Sequence, residues 1–573
     1  MFRDGRFTNI LKSDIRKDMI AGLTVGVVAI PLGMAFAIAS GVKPEYGLYT
    51  TVIAGLIVAL LGGSRFQVAG PTGAFIPILL AIVLQYGYED LLIAGFLAGI
   101  MLIIMSFLKI GNLIKFIPRS VTIGFTAGIA VIIFSGQIEN FLGLQGIEKK
   151  EYFHQNMLQI VQQIGTVNLY SILIGIIGMC IVWYVPKRFP RIPALLVALI
   201  IPTIIGIVFF PGKVATIGSE FGGIPQGFPT IQIPHMTFER ILYLLQPAFV
   251  IAMLGGIESL LSAVVSDGMT GTRHHSNKEL FGQGVANMVT PLFGGIPATG
   301  AIARTATNIR AGAVSPYSSI FQSIFVVLTI ALFAPLASHV PLASMAPILM
   351  FVAINMSEYK TFGLILNMRS GDSFVLVTTF LLTVFVNLTI AVPIGLLLAM
   401  LSFIKRMSEA LRVKSIVPEF DASGEVKPGE KRKLCPEIAS FTIHGPLFFG
   451  VADQFEEILS KSMDKRPKVL ILKMRHVSLI DVTGEANLAA LILDYKNKGG
   501  IVLISEIGEE SRKMLNMSGL SEVIGEEHFF TYTTDAINYA LTQINPTSCV
   551  ICGNDQPSAC RVYRHIDLPD VYS

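Results

Sequence analysis

One carboxylate, Glu258, stands in an otherwise uncharged run from Ile241 to Ser266, within Gly255-Gly256-Ile257-Glu258-Ser259-Leu260-Leu261-Ser262. A charge is costly inside lipid, so an ionisable residue in such a run marks an ion or proton pathway by default. Such a carboxylate either holds a coupling cation or carries a proton. Ser262 follows one helical turn later on the same face and is assigned to the same ion-coupling position. Arg304 is the second charge of this kind. It can attract an anion, pair with Glu258 across a bundle, or do both.

A triplet recurs. Thr72-Gly73-Ala74 reappears as Thr299-Gly300-Ala301, and the same offset of 227 residues maps Gly41 to Gly268, Gly55 to Gly282 and Pro31 to Glu258. Both copies lie where a span should be, yet helix breakers lead into them: Gly70-Pro71 in one, Gly294-Gly295-Ile296-Pro297-Ala298 in the other. Each continues as a plausible helix, to Gln85 and to Arg310. The expected form is an extended arm reaching mid-membrane and then a half-helix. The first N–H groups of a helix lack intrahelical partners and carry the positive end of its dipole. Two such ends facing one another would make an anion site. Irregular backbone is tolerated at that depth only where it is buried in protein or lines a cavity. Close helix packing through small residues is the competing explanation of the glycines.

The elements around these residues must be membrane spans. Of 573 residues, 52% are hydrophobic and 14% charged, and mean hydropathy is +0.65. Soluble domains average about 25% charged residues. No Asp, Glu, Lys or Arg falls at 19–42, 46–64, 66–88, 311–357 or 373–404. A span needs roughly 20 apolar residues, so the last two windows hold two each. The basic start (Arg3, Arg6, Lys12, Arg16, Lys17) precedes the first span and no cleavage site follows, so it is not a signal peptide. Fourteen segments result, centred near 30, 55, 77, 99, 129, 176, 202, 253, 288, 305, 327, 347, 381 and 398. Basic residues gather in alternate loops (Arg65; Lys109 and Arg119; Lys187 and Arg188; Arg273 and Lys278; Arg310; Lys360 and Arg369; Lys405 and Arg406). Acidic Glu45, Glu89, Asp90, Glu148 and Glu151 mark the others. The positive-inside rule then places both termini in the cytoplasm and the chain, multi-pass, in the cell (inner) membrane. Seven spans separate the two triplets, an odd number, which makes the repeats inverted, with a site expected at the midplane between them.

Pro44-Glu45-Tyr46-Gly47-Leu48-Tyr49-Thr50, Gly62-Gly63-Ser64-Arg65, Gly70 to Phe75 and Gly294 to Gly312 resemble the SulP family of sulfate permeases and related anion transporters, over nearly the whole chain. The resemblance implies 14 spans as 7+7 inverted repeats, a core domain moving against a gate domain, and a homodimer. It implies an anion site at Leu32 and Phe36, Thr72, Gly73 and Ala74, Glu258 and Ser262, and Thr299, Gly300, Ala301, Ile302, Ala303 and Arg304. Two positions depart from family patterns. Many members have Gln where this chain has Leu32. Sodium-coupled bicarbonate members have Asp and Thr where it has Glu258 and Ile302, which favours H+ over Na+ as coupling ion. The surroundings of Glu258 are also similar to the family's bacterial C4-dicarboxylic acid transporter. Sulfate, bicarbonate and C4-dicarboxylates are the candidate anions, moved by symport or exchange. A channel of the same fold and a nucleobase permease are the alternatives.

From Pro418 onwards the composition is that of a soluble protein. The domains expected are a cytoplasmic N-terminus at 1–17, a transmembrane domain at 18–412, a linker at 413–434, a small cytoplasmic α/β domain at 435–545 and a tail at 546–573. Apolar runs at 437–443, 469–473 and 501–505 alternate with amphipathic ones at 451–463, 484–497 and 509–518, the pattern of strands and helices in turn. The domain resembles the STAS domain that closes most family members. Asp481-Val482-Thr483-Gly484 has Val482 where anti-sigma antagonists carry their phosphorylated serine, so a regulatory partner remains expected but the switch does not. Thr483 is expected to cap a helix. Cys549-Val-Ile-Cys552, with Cys560 and His565, fits no standard zinc spacing, and neighbouring His274 and His275 point apart. No catalytic group, metal, cofactor or nucleic-acid partner is expected. The chain reads as a transporter rather than an enzyme.

Overall fold

The computed structural model describes residues 6–7, 11–114, 118–189, 192–225, 227, 229–231, 233–386, 388–409, 411–415, 437–449 and 467–544. The expected segment at 451–463, the tail with its cysteines, Cys435 and most of the linker lie outside the described residues. Two compact units divide the chain, Met1–Ala399 and Met400–Ser573.

A helix covers each of the fourteen centres read from the sequence. They are α1 (Lys12–Ala39), α2 (Pro44–Leu61), α3 (Ile76–Tyr86), α4 (Tyr88–Phe107), α5 (Arg119–Gly136), α6 (Leu169–Arg188), α7 (Ala194–Phe209) and α8 (Phe238–Thr270). The rest are α9 (Ser276–Val289), α10 (Ile302–Arg310), α11 (Tyr317–Ala337), α12 (Leu342–Met356), α13 (Gly371–Phe385) and α14 (Leu388–Glu409). Among the described residues nine helices are long and apolar enough to cross a membrane, and three shorter apolar ones accompany them. The chain is a mostly helical polytopic membrane protein.

The helices pack as two bundles. In the first, α1 lies along α11, α2 and α10, and α4 lies against α8 and α9. In the second, α5 packs on α12 and α13, and α6 on α7 and α12. Small residues set the spacing. A Cβ on Gly22 of α1 would fall 2.3 Å from the Ser318 carbonyl of α11, and one on Gly47 of α2 would fall 2.0 Å from the Gly33 carbonyl of α1. Without a hydrophobic drive between helices in lipid, such close approach is what holds them.

Before α3 and α10 the backbone is extended. Strand β1 (Ala69–Gly70) pairs antiparallel with β2 (Thr299–Gly300), Ala69 opposite Gly300 and Gly70 opposite Thr299. The Ala301 amide adds a bond to the Val68 carbonyl at 2.8 Å. The two broken segments thus satisfy each other's polar groups, which nothing in lipid would do.

The second unit holds a five-stranded sheet in the order β3-β4-β5-β6-β7, from β3 (Arg412–Ser415), β4 (Ile438–His444), β5 (Val469–His476), β6 (Ile501–Ser505) and β7 (Phe529–Phe530). Strand β3 is antiparallel to β4 and the other pairs are parallel. Helices α15 (Val482–Asn497), α16 (Glu509–Met517) and α17 (Thr533–Gln543) are the longer helices among the described residues of this α/β domain. Two expectations need correction here. The linker anticipated from residue 413 begins as strand, because Val413 to Ser415 pair with β4. The cap of α15 is Asp481 rather than Thr483, since the Asp481 carboxylate accepts the Gly484 amide at 2.7 Å and the Phe449 amide at 3.0 Å.

Candidate functional site

The arms leading to the half-helices are fixed by side chains of their neighbours. Asn287 of α9 clamps Ala298, accepting its N–H and donating to its carbonyl, both at 2.8 Å. Thr50 of α2 donates to the Ile296 carbonyl at 3.0 Å. Gln67 donates to the Ser259 carbonyl at 3.0 Å, and Ser319 donates to the Gln67 carbonyl at 2.9 Å. Each is buried, and those that meet an arm's own backbone groups satisfy polar atoms that would cost about 1–3 kcal/mol if left unpaired.

Thr72 and Ala301 precede the helical turns. Past them, the first turn-closing bonds run from the Phe75 amide to the Thr72 carbonyl and from the Thr305 amide to the Ala301 carbonyl. The amides of Gly73 and Ala74, and of Ile302 and Ala303, come before those bonds, at the positive ends of their helices.

Two charges grip the first arm at adjacent residues. The Thr72 hydroxyl donates to Glu258 Oε2 at 2.9 Å, and the buried Arg304 guanidinium donates to the Pro71 carbonyl. No direct ion pair joins Glu258 to Arg304 among the described residues, so the structural pairing open in the sequence takes this indirect form. Arg304 is 2% exposed, and its Nη1 has no hydrogen-bond partner. A buried guanidinium nitrogen without an acceptor is the group an anion would satisfy. Gly70 makes room for it: a Cβ there would lie 2.6 Å from Nη1.

The other expected residues distribute around this centre. Phe36 of α1 packs at the first half-helix, its Cε1 3.7 Å from where a Cβ on Gly73 would be. Leu32, one turn earlier, is buried in the apolar core with Ala74 and Phe75. Ile302 and Ala303 are exposed on the first turn of α10, while Ala301 is buried. Thr299 shares a hydroxyl contact with Ser259 at 3.0 Å, and Ser259 also accepts the Gly300 amide at 3.0 Å. Ser262 donates to Thr305 Oγ1 at 3.2 Å, tying α8 to α10.

Besides Asn287 and Ser319, further residues here escaped the sequence reading. Ser259 and Gln67 hold the arms, while Ile133 of α5 and Met356 of α12 bring the second bundle to Gly73, each 3.3 Å from a Cβ built there. The signal for Ser259 was present, because it neighbours Glu258 on the same helix.

Residues 15–379 match the sulfate permease family and residues 433–536 match the STAS domain. "Putative sulfate transporter YvdB" of Bacillus subtilis (strain 168) is 52% identical over 528 residues, 92% of this chain and 98% of that one. The bicarbonate transporter BicA of Picosynechococcus sp. is 30% identical over 551 residues, 93% of this chain and 96% of its own. Among solved structures, murine solute carrier 26 family member A9 shares the fold with a TM-score of 0.81 at 20% identity, covering 93% of this chain and 92% of its own. The transmembrane domain of a cyanobacterial BicA superposes with a TM-score of 0.60 at 30% identity, over 68% of this chain and 98% of that domain.

Proposed function

This chain belongs to the sulfate permease family, and on that premise we propose that it moves a small anion across the cell membrane by alternating access, coupled to protons through Glu258. The observation that carries the reading is the buried Arg304 Nη1 without an acceptor, carried on the first turn of the second half-helix and packed against Gly70 on the arm of the first. In this reading the anion takes the Gly73, Ala74, Ile302 and Ala303 amides and Nη1. Leu32, Phe36, Thr72, Thr299, Gly300 and Ala301 shape the pocket around it. Glu258 supplies the coupling. Unit charges of like sign roughly 7 Å apart repel by about 2 kcal/mol at an effective dielectric constant near 20. The anion therefore binds best when Glu258 carries a proton, and by reciprocity the proton binds best with the anion present.

The first bundle acts as the moving core and the second as the gate, in a homodimer with both termini in the cytoplasm. Sulfate, bicarbonate and C4-dicarboxylates are the substrate candidates. The relatives named for sulfate and for bicarbonate support the first two. The α/β domain would bind a regulatory protein. Uptake of labelled sulfate, bicarbonate, succinate and fumarate into proteoliposomes tests the reading, under imposed proton or sodium gradients. Uptake of at least one anion, faster with an inward proton gradient, is expected. Uracil uptake without any anion uptake would overturn the substrate class.

A further inference from the structure

Far from the half-helix ends, where α1 finishes at Ala39, a lysine bridges the two bundles. The loop that carries it is held by the helix Phe153–Gln162, which packs on α5 and α13 of the second bundle. Asn156 of that helix accepts the Lys150 amide at 2.8 Å and donates to the Lys150 carbonyl at 2.7 Å. The preceding residue, Lys149, is thereby aimed. Its ammonium lies 3.4 Å from Glu139 Oε1, on a short helix (Ile138–Leu142) of the second bundle, and 3.5 Å from the Ile38 carbonyl of α1. The last carbonyls of a helix lack intrahelical donors and form its negative end. The Lys149 cation thus sits between a carboxylate of one bundle and the negative end of a helix of the other.

Next to it is a small cleft. Ala39, Ile76 and Leu80 line it from the first bundle, and Ile133, Ser135 and Thr383 from the second. Its volume is about 100 Å³, room for about three waters. Ile133, which lines it, also packs at Gly73, so the cleft borders the candidate site.

We propose that Lys149 is the residue that holds this entrance shut, bolting the end of α1 to Glu139. The proposal rests on the alternating-access reading above but not on its proton coupling. Opening the cleft requires the ammonium to leave the Ile38 carbonyl. Removing the charge therefore favours the open form, which faces outside in the proposed orientation.

The test uses full-length protein in nanodiscs, with the five native cysteines replaced and Leu80→Cys introduced as a reporter in the cleft. A maleimide reagent reads its accessibility. Lys149→Met should label about tenfold faster than the parent, because a hydrogen-bonded charge is lost from the closed form only. Lys149→Arg should label within about threefold of the parent, since the bridge can re-form. Glu139→Gln should fall between, as the Ile38 contact survives. Gln162→Cys, on the exposed surface, should label equally in the parent and all three variants and so excludes misfolding. Equal labelling of Leu80→Cys with methionine and lysine at 149 would overturn the proposal. Faster labelling together with absent proton-driven uptake would sink the coupling reading and leave this one standing.

Discussion

The Thr72 hydroxyl donates to Glu258 Oε2 at 2.9 Å, tying a carboxylate within the apolar stretch of α8 to the residue that leads into the first half-helix. The proton state of Glu258 and the geometry of the Gly73 and Ala74 amides are therefore linked by one hydrogen bond. Arg304 grips Pro71, the neighbouring residue, from the other side. The predictions below separate these contributions.

Arg304→Met should raise the anion KM by about 10–100-fold, the range expected on losing a charged hydrogen-bonding group from a buried site. Arg304→Lys should recover only part of this. A lysine ammonium cannot hold the Pro71 carbonyl and an anion with one planar fork. Concentration-dependent uptake into proteoliposomes measures both.

Gly70 and Gly300 face each other's strands but should behave differently on substitution by alanine. A Cβ at Gly70 meets the guanidinium of Arg304 at 2.6 Å, so Gly70→Ala should weaken anion affinity in the direction of Arg304→Met. A Cβ at Gly300 falls 1.6 Å from Gln67 Nε2 and 3.1 Å from Ser259 Cα, displacing the group that holds the Ser259 carbonyl. Gly300→Ala should cost about 1–3 kcal/mol of stability by overpacking. Thermal unfolding of each variant beside its anion KM tells them apart.

Glu279 is wholly buried at the start of α9 and accepts the Gly63 and Ser64 amides at 2.7 and 3.1 Å, with Gln283 at 3.1 Å. Glu279→Ala should lower stability by about 3 kcal/mol, since two backbone donors lose a charged acceptor. Transport per folded molecule should stay within about threefold of the parent. The unfolding midpoint, with uptake normalised to folded protein, checks this.

In the α/β domain, burial pushes the Glu506 carboxyl upward, but Thr533 and Lys473 outweigh it and hold the group below its usual range. A carboxyl whose folded-state pKa is depressed contributes stability that is full above the unfolded value near 4.5. That contribution falls away as pH drops through the folded value. The protection of the Ile501–Ser505 amides, judged from observed exchange relative to the intrinsic rate at each pH, should therefore fall on acidification below about pH 4.5. Glu506→Gln should flatten that dependence.

Much of this arrangement was legible in the residues alone. Each of the fourteen apolar centres fell on a helix, and the breaks before the two Thr-Gly-Ala triplets marked where short helices begin. Glu258 and Arg304 stood out because charge is rare in such runs. What stayed hidden depended on partners far apart in the chain. Nothing local says that Ala69 pairs with Gly300, or that Ser259 rather than Ser262 meets Thr299. Glu279 drew no attention, because the amides that donate to it lie on a turn about 215 residues away. Asp481 displaced Thr483 as cap because a carboxylate one residue before the helix reaches its third amide.

Proton-driven anion uptake by Glu258→Gln is the most direct measurement of the central claim. Proteoliposomes holding the parent or the variant are given an inward proton gradient, and initial uptake is compared with counterflow at equal pH. The account predicts that the glutamine variant loses the acceleration by the gradient, about 30-fold or more if coupling is worth about 2 kcal/mol, while counterflow persists because the neutral side chain resembles protonated Glu258. Gradient-driven uptake that survives in the variant would contradict it.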